Sequence, residues 1–378
     1  MLIYVRLSEA LKAKADDLVS RGHYSDLSAV VAVALENLIL AEQEHSGPPN
    51  LLMPRAREEK ETTASTAPAA ASKPSKDKAS VAPARVSETP RPSIFNWTEP
   101  PALSERLIVP LPADLFRPGQ QVPVERWIFG QQNRALPAKV NSRLFISLVA
   151  QARVELEIFE AASAISSQAA AIFTFLTDLD ERFESGKDDQ LSTGFPEPGS
   201  EKAISRYANH FAAYESTQGN LTGMLLQWKL AGVKRAKNKT YLLPTKACVD
   251  LAALANPLLD RPVTEKPSEK FSTEEIDWLV SHIAEHVPVE ASAFGTVLAG
   301  LAEGCNTPDA LDGYVKEHAK EKADVTDAFV STQRSGAVSR MADLDLVKRQ
   351  RDGTKVSYEA TKRGVAWLQK NAGNGKLL

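Results

Sequence analysis

Cysteine is almost missing from this chain: 378 residues contain two, Cys248 and Cys305. Two distant thiols cannot make a disulfide scaffold, and reduced cysteines suit a reducing compartment, so a cytoplasmic, nucleoid-associated protein is expected. An excess of one charge is missing too, with 45 Lys and Arg against 48 Asp and Glu. That excludes a uniformly basic nucleic-acid coat and makes the placement of charge the informative quantity. No run is expected to reach the apolar length of a membrane span, and the first residues do not have the pattern of a secretory signal, so no membrane contact is expected. The chain has no Walker loop, no Gly-rich dinucleotide turn and no nucleophile elbow. No enzyme activity and no cofactor are therefore expected. His282 and His286 flank Glu285 as His-x-x-Glu-His without a third ligand cluster, so they are expected on a solvated helix face and not at a metal. Asp178 and Asp180 are likewise expected on a charged helical surface.

What is present falls into zones. Residues 1–45 are patterned. Residues 46–93 are rich in Pro, Ala, Ser, Lys and Glu with almost no aromatics, a composition that cannot offset the entropy of ordering, so a disordered linker is expected. As a flexible coil it would span roughly 40 Å. Its one apolar spot, Leu51-Leu52-Met53, is a candidate docking point for a protein partner. Tryptophans and apolar periodicity return from Ile94, and Pro137 suits the first turn of a helix. Residues 154–183 repeat at helical spacing, and Ser185 to Ser200 reads as a loop. A second break, Asn256 to Lys270 with Pro257, Pro262 and Pro267, separates residues 94–256 from residues 270–378.

In the head, Ile3, Val5 and Leu7 alternate with Leu2, Tyr4 and Arg6, the pattern of a half-buried strand. Two helices follow, the first ended by Gly22 and the second capped by Asp26 or Ser28. One strand and two such helices cannot make a core alone, so pairing of two chains through residues 1–45 is expected. The motifs Val5-Arg6-Leu7-Ser8-Glu9, Gly22-His23-Tyr24 and Ser28-Ala29-Val30-Val31 resemble the ribbon-helix-helix fold of plasmid copy-number repressors and ParD-type antitoxins. The resemblance implies a homodimer whose ribbon enters the major groove with Leu2, Tyr4 and Arg6 toward bases, and a phosphate near Ser28 at the start of the second helix. The head carries four cations against seven acids, so a clamp that only dimerises is the other reading.

The rest of the chain holds a repeat. Ser331-Thr332-Gln333, a helical stretch, Leu344, Val347-Lys348-Arg349, a turn at Asp352-Gly353, Tyr358 and Thr361 have counterparts about 115 residues earlier. These are Ser216-Thr217-Gln218, Leu230, Val233-Lys234-Arg235, a turn at Lys237-Asn238, Tyr241 and Thr245. Helices are expected over Ala293–Glu303, from Thr307, and over Asp327–Leu344. A hairpin should follow around Asp352-Gly353, with a last helix from Thr361. In the earlier copy, Leu221, Leu225 and Trp228 are expected on a helix closed by Lys229 to Val233, with Pro244 shortening the second hairpin strand. The pattern Leu346-Val347-Lys348-Arg349, Arg351-Asp352-Gly353, Tyr358, Thr361 and Gly364 is similar to the winged-helix domain of MarR- and ArsR-type regulators. That resemblance implies a third helix reading the major groove and a hairpin along the backbone. From Ser331 onward ten Lys or Arg face four Asp or Glu, and no acid lies between Lys229 and Lys246.

The fold expected is mainly α with small β elements: a ribbon-helix-helix head, a disordered linker and two tandem winged helix-turn-helix units. The function expected is that of a dimeric, sequence-specific protein that binds double-stranded DNA and regulates transcription by occupying promoters. A plasmid replication or partition protein, or an adaptor of an antitoxin or defence complex, are the alternatives. The candidate contacts are Leu2, Tyr4, Arg6 and Ser28 in the head, and Thr217, Gln218, Lys234, Arg235, Lys237 and Lys239 in the first copy. In the second they are Thr332, Gln333, Arg334, Ser335, Ser339, Arg340, Lys348, Arg349, Arg351 and Lys355.

Overall fold

The computed structural model describes residues 101–372 except 187–189, 261–262, 268, 320–324 and 354. The head, the linker and their candidate residues Leu2, Tyr4, Arg6 and Ser28 lie outside the described residues. The described part belongs to one unit, Ala84–Leu378. It is mostly helical with small antiparallel sheets of two and three strands.

The first half starts with α1 (Leu136–Ala152), with Pro137 in its first turn, where a missing N–H costs nothing. The two-residue β1 (Leu156–Glu157) leads into α2 (Ile158–Arg182). Ser200 caps α3 (Glu201–Tyr207), its hydroxyl accepting from Ala203 N, and a π-helical turn (Ala208–Ala212) follows. A short hairpin, β2 (Tyr214–Glu215) and β3 (Leu221–Thr222), precedes the single-turn α4 (Met224–Gln227). Then come β4 (Ala231–Ala236), β5 (Lys239–Pro244) and α5 (Lys246–Ala253). β1 pairs with β5, Leu156 opposite Leu242, giving the sheet order β1-β5-β4.

The second half opens with α6 (Thr273–His286), whose capping box joins Ser272 and Glu275. It continues through α7 (Pro288–Ala302), α8 (Pro308–Ala319), α9 (Asp327–Asp343), β6 (Val347–Asp352), β7 (Lys355–Ala360) and α10 (Lys362–Ala372). In place of a third strand, Tyr358 N donates to Asn306 O at 2.8 Å, as β5 is met by β1 in the first half.

Both hairpins sit in the same local frame. Lys229 (φ 55°) and Asp345 (φ 53°) end the preceding helix in the left-handed region. Thr245 N donates to Leu230 O (3.0 Å) and Thr361 N to Leu346 O (3.1 Å). The two threonine hydroxyls reach back to Lys229 O (2.8 Å) and Asp345 O (2.5 Å), and each accepts an amide from its own helix, Cys248 N and Gly364 N. The spacing between the two members of every pair is the same. This register sets Ala231 beside Val347 and Arg235 beside Arg351, two residues out of step with the Val-Lys-Arg match of the sequence.

Several expectations are corrected here. The stretch after Ser216 is no long helix: Gly219 (φ 79°) and Gly223 (φ 102°) turn the chain, and only Met224–Gln227 is helical. Pro244 does not shorten β5, which pairs along its full length because the proline stands opposite Ala231 at the hairpin root. Asp180 is buried and accepts from Leu191 N (2.8 Å), Ser192 N (3.0 Å) and Ser192 Oγ (2.7 Å), closing the loop after α2. His282 is buried against Trp228 O (2.8 Å) and stacked on Trp278. Burial lowers its pKa to about 4, partly opposed by that hydrogen bond. Finally, α2 is 25 residues long and apolar enough by length and composition to cross a membrane, where no run of that length was expected. Its Ile165, Ala169, Ile172, Leu176 and Leu179 are packed in the core.

The halves are joined by backbone contact. Residues 127–135 run along α9, and a methyl group on Gly130 would collide with the Thr332 carbonyl, as one on Gly336 would with Gly130 itself. Neither partner can yield as a side chain does. Gly130→Ala is therefore expected to lower stability by about 1–3 kcal/mol, as overpacking does. Equilibrium denaturation would check it, and a midpoint unchanged from wild type would contradict this packing.

Candidate nucleic-acid interface

In the second half α8 and α9 precede the hairpin β6–β7. Thr326 caps α9 by accepting from Phe329 N, and Val330, Ala337, Val338 and Met341 fill the core beneath it. The hairpin projects: Val347 at its root is buried, whereas Lys348, Arg349, Gln350, Arg351, Asp352 and Lys355 are exposed. Of its acids, Glu359 takes a hydrogen bond from the neutral Gln350 (2.7 Å) and Asp352 stands opposite Lys355.

The residues expected to read bases from α9 divide sharply. Thr332 and Ser335 are exposed and Ser339 is half-buried. The hydroxyls of Thr332 and Ser339 donate to their own helix, at Ala328 O and Ser335 O (2.8 Å each). Gln333, Arg334 and Arg340 are buried, which corrects the expectation that they face a groove. Gln333 accepts from Gly130 N (2.5 Å) and donates to Trp127 O (3.2 Å). Arg334 grips Asp312 through Nε (2.8 Å) and Nη2 (3.1 Å) and donates to the Tyr358 hydroxyl (3.2 Å). Arg340 is paired with Glu290, both side chains fully buried, and also donates to Gln132 O (2.5 Å). Their long polar side chains hold the helix in place.

The first half presents a hairpin of the same size. Lys237 (φ 50°) and Asn238 (φ 60°) make its two-residue turn, a type I′ geometry that asparagine tolerates. Lys234, Arg235, Lys237 and Lys239 are all exposed. Lys234 pairs with Glu155 (2.6 Å) and Arg235 with Glu215 (2.8 Å). Hydrogen bonds from Thr240 and Arg235 hold the Glu215 carboxyl below the usual range. Lys237 and Lys239 form no ion pair among the described residues. Thr217 and Gln218, expected on a reading helix, lie exposed in the loop between β2 and β3. Asn220 is exposed in the same loop, between the turn-forming Gly219 and Gly223. No cluster of three or more His, Cys, Asp or Glu able to hold a metal occurs among the described residues.

No protein-family model, curated protein or solved structure matches the chain.

Substitutions in α9 separate holding from reading. Gln333→Ala leaves two buried backbone groups without partners and is expected to cost about 1–3 kcal/mol. Arg340→Met strands Glu290 and is expected to cost about 3–5 kcal/mol. Urea unfolding of both variants would check this; wild-type stability with altered DNA preference would return these residues to a reading role.

Proposed function

We propose that this protein is a dimeric DNA-binding protein, a transcriptional regulator that acts by occupying promoter DNA. Its body is two winged-helix units in tandem, and its head a ribbon-helix-helix dimeriser. The observation that carries the reading is the pair of exposed basic hairpins built in one frame, each after a left-handed helix end and before a threonine-capped helix. Exposed cations at a projecting hairpin are suited to phosphates, where counterion release supplies sequence-independent affinity. A near-neutral chain that concentrates Lys237, Lys239, Lys348 and Lys355 on two projections places its positive potential where a duplex can meet it. Two such contacts on one body, doubled by a dimer, raise affinity through effective concentration.

Replacing Lys237, Lys239, Lys348 and Lys355 by Ala should weaken binding to all duplexes alike. The slope of log affinity against log salt should fall by roughly one per lost contact. Fluorescence anisotropy over a salt series would measure it, and an unchanged slope would remove the hairpins from the DNA. The dimer has its own test. Val5→Asp places a charge on the apolar side of the expected ribbon, and light scattering should then find a monomer; a persistent dimer would remove the head from assembly.

A further inference from the structure

The loop between β2 and β3 is closed by its own backbone and the Ser216 hydroxyl. Ser216 N donates to Asn220 O (2.9 Å), Gly219 N to Ser216 O (2.8 Å) and Asn220 N to Ser216 Oγ (3.1 Å). Its tip is fastened to the neighbouring hairpin. Arg235 Nη2 reaches Gly219 O (3.1 Å) and Glu215 Oε1 (2.8 Å), so the loop is held beside β4 and its exposed lysine-bearing turn. The side chains left exposed on this tip are Thr217, Gln218 and Asn220. In the register that pairs Lys229 with Asp345, the β2–β3 ribbon falls on the middle of α9, and α4 falls on the last turn of that helix.

We propose that the β2–β3 ribbon is the base-reading element of the first of the two proposed winged-helix units, with Gln218 and Asn220 addressing the major-groove edge of an adenine while Lys237 and Lys239 hold nearby phosphates. The proposal rests on the DNA-binding reading above. A two-stranded ribbon fits the major groove, and carboxamide side chains match adenine, which offers one acceptor, N7, beside one donor, N6. The Asn220 Nδ2 group donates to Gln218 Oε1 (3.4 Å), so two exposed carboxamides stand side by side, each carrying the donor and the acceptor that an adenine edge requires. The exposed residues of α9, Asp327, Ala328, Thr332, Ser335 and Ala342, include no carboxamide.

The test is selection from a randomised duplex library by the full-length protein and by its Gln218→Ala, Asn220→Ala double variant. Wild type should enrich A·T at one or two adjacent positions. The variant should lose that preference, bind the selected duplex about 5- to 100-fold more weakly, and bind unrelated duplex at low salt within about twofold of wild type. Circular dichroism of the variant should match wild type, since the exposed amides carry no core packing. The same enriched sequence from both proteins, or binding by wild type without any enrichment, would overturn the ribbon as a reading element while leaving DNA binding intact. A wild-type protein that binds no duplex would overturn the DNA-binding reading itself.

Discussion

Two cations on one buried helix hold the body together. Lys139 and Arg143 lie one turn apart on α1, almost wholly buried. Lys139 donates to Leu251 O (2.6 Å) and pairs with Glu275 (3.0 Å), at the first turn of α6. Arg143 donates to Ala252 O (3.1 Å) and Leu254 O (2.8 Å) and clasps Asp260 (2.7 Å on one arm). Asn256 closes the ring, donating to Glu275 Oε2 (2.9 Å) and to Lys270 O (3.1 Å). Taking such charges from water costs several kcal/mol each, which only dense, well-aligned partners can offset. Burial pulls Lys139 down to about 8 and pushes Glu275 up, the directions expected of a pair deprived of water. The carbonyls that α5 leaves open at its end are the ones these cations satisfy. The proline-rich stretch between the halves is thus a clasp, pinned at Asn256, Asp260, Lys270 and Glu275, where composition suggests a loose boundary.

How much of this was legible depends on whether the signal is local. The elements after residue 290 follow from capping, turn and periodicity signals that act within a few residues. Thr326 and Thr361 cap, Gly353 turns, and Val330, Ala337, Val338 and Met341 mark the core side of α9. The exposure of the hairpin cations was legible for the same reason, since charged residues crowded on a short strand beyond its apolar root have nowhere to go but solvent. What was not legible is what covers the other side of a helix. Gln333, Arg334 and Arg340 have the right chemistry for bases, and their spacing cannot reveal that Trp127, Gly130, Gln132, Asp312 and Glu290 have claimed them.

The repeated tripeptide misled for a related reason. Ser-Thr-Gln favours no single structure, and Gly219 and Gly223 decide for a turn in one copy while Thr326 decides for a helix in the other. The Val-Lys-Arg match is real as composition but not as register. A strand repeats its sides every second residue, so a shift of two leaves the same sides facing in and out. The hairpins could therefore be aligned out of step and still agree in charge.

The glycine contact between residue 130 and α9 has a mechanical consequence. Side chains at a seam can change rotamer and let two bodies slide by small amounts, but two backbones in direct contact have no such slack. With Gln333 and Arg340 bonded to the carbonyls and amide on either side of it, α9 cannot creep along residues 127–135; it is either seated or separated. Leu346 N, bonded to Met341 O (2.9 Å), ties the root of β6 to the end of that same helix. The root of the second hairpin is therefore tied through α9 to the backbone of the other half, and the two are positioned together.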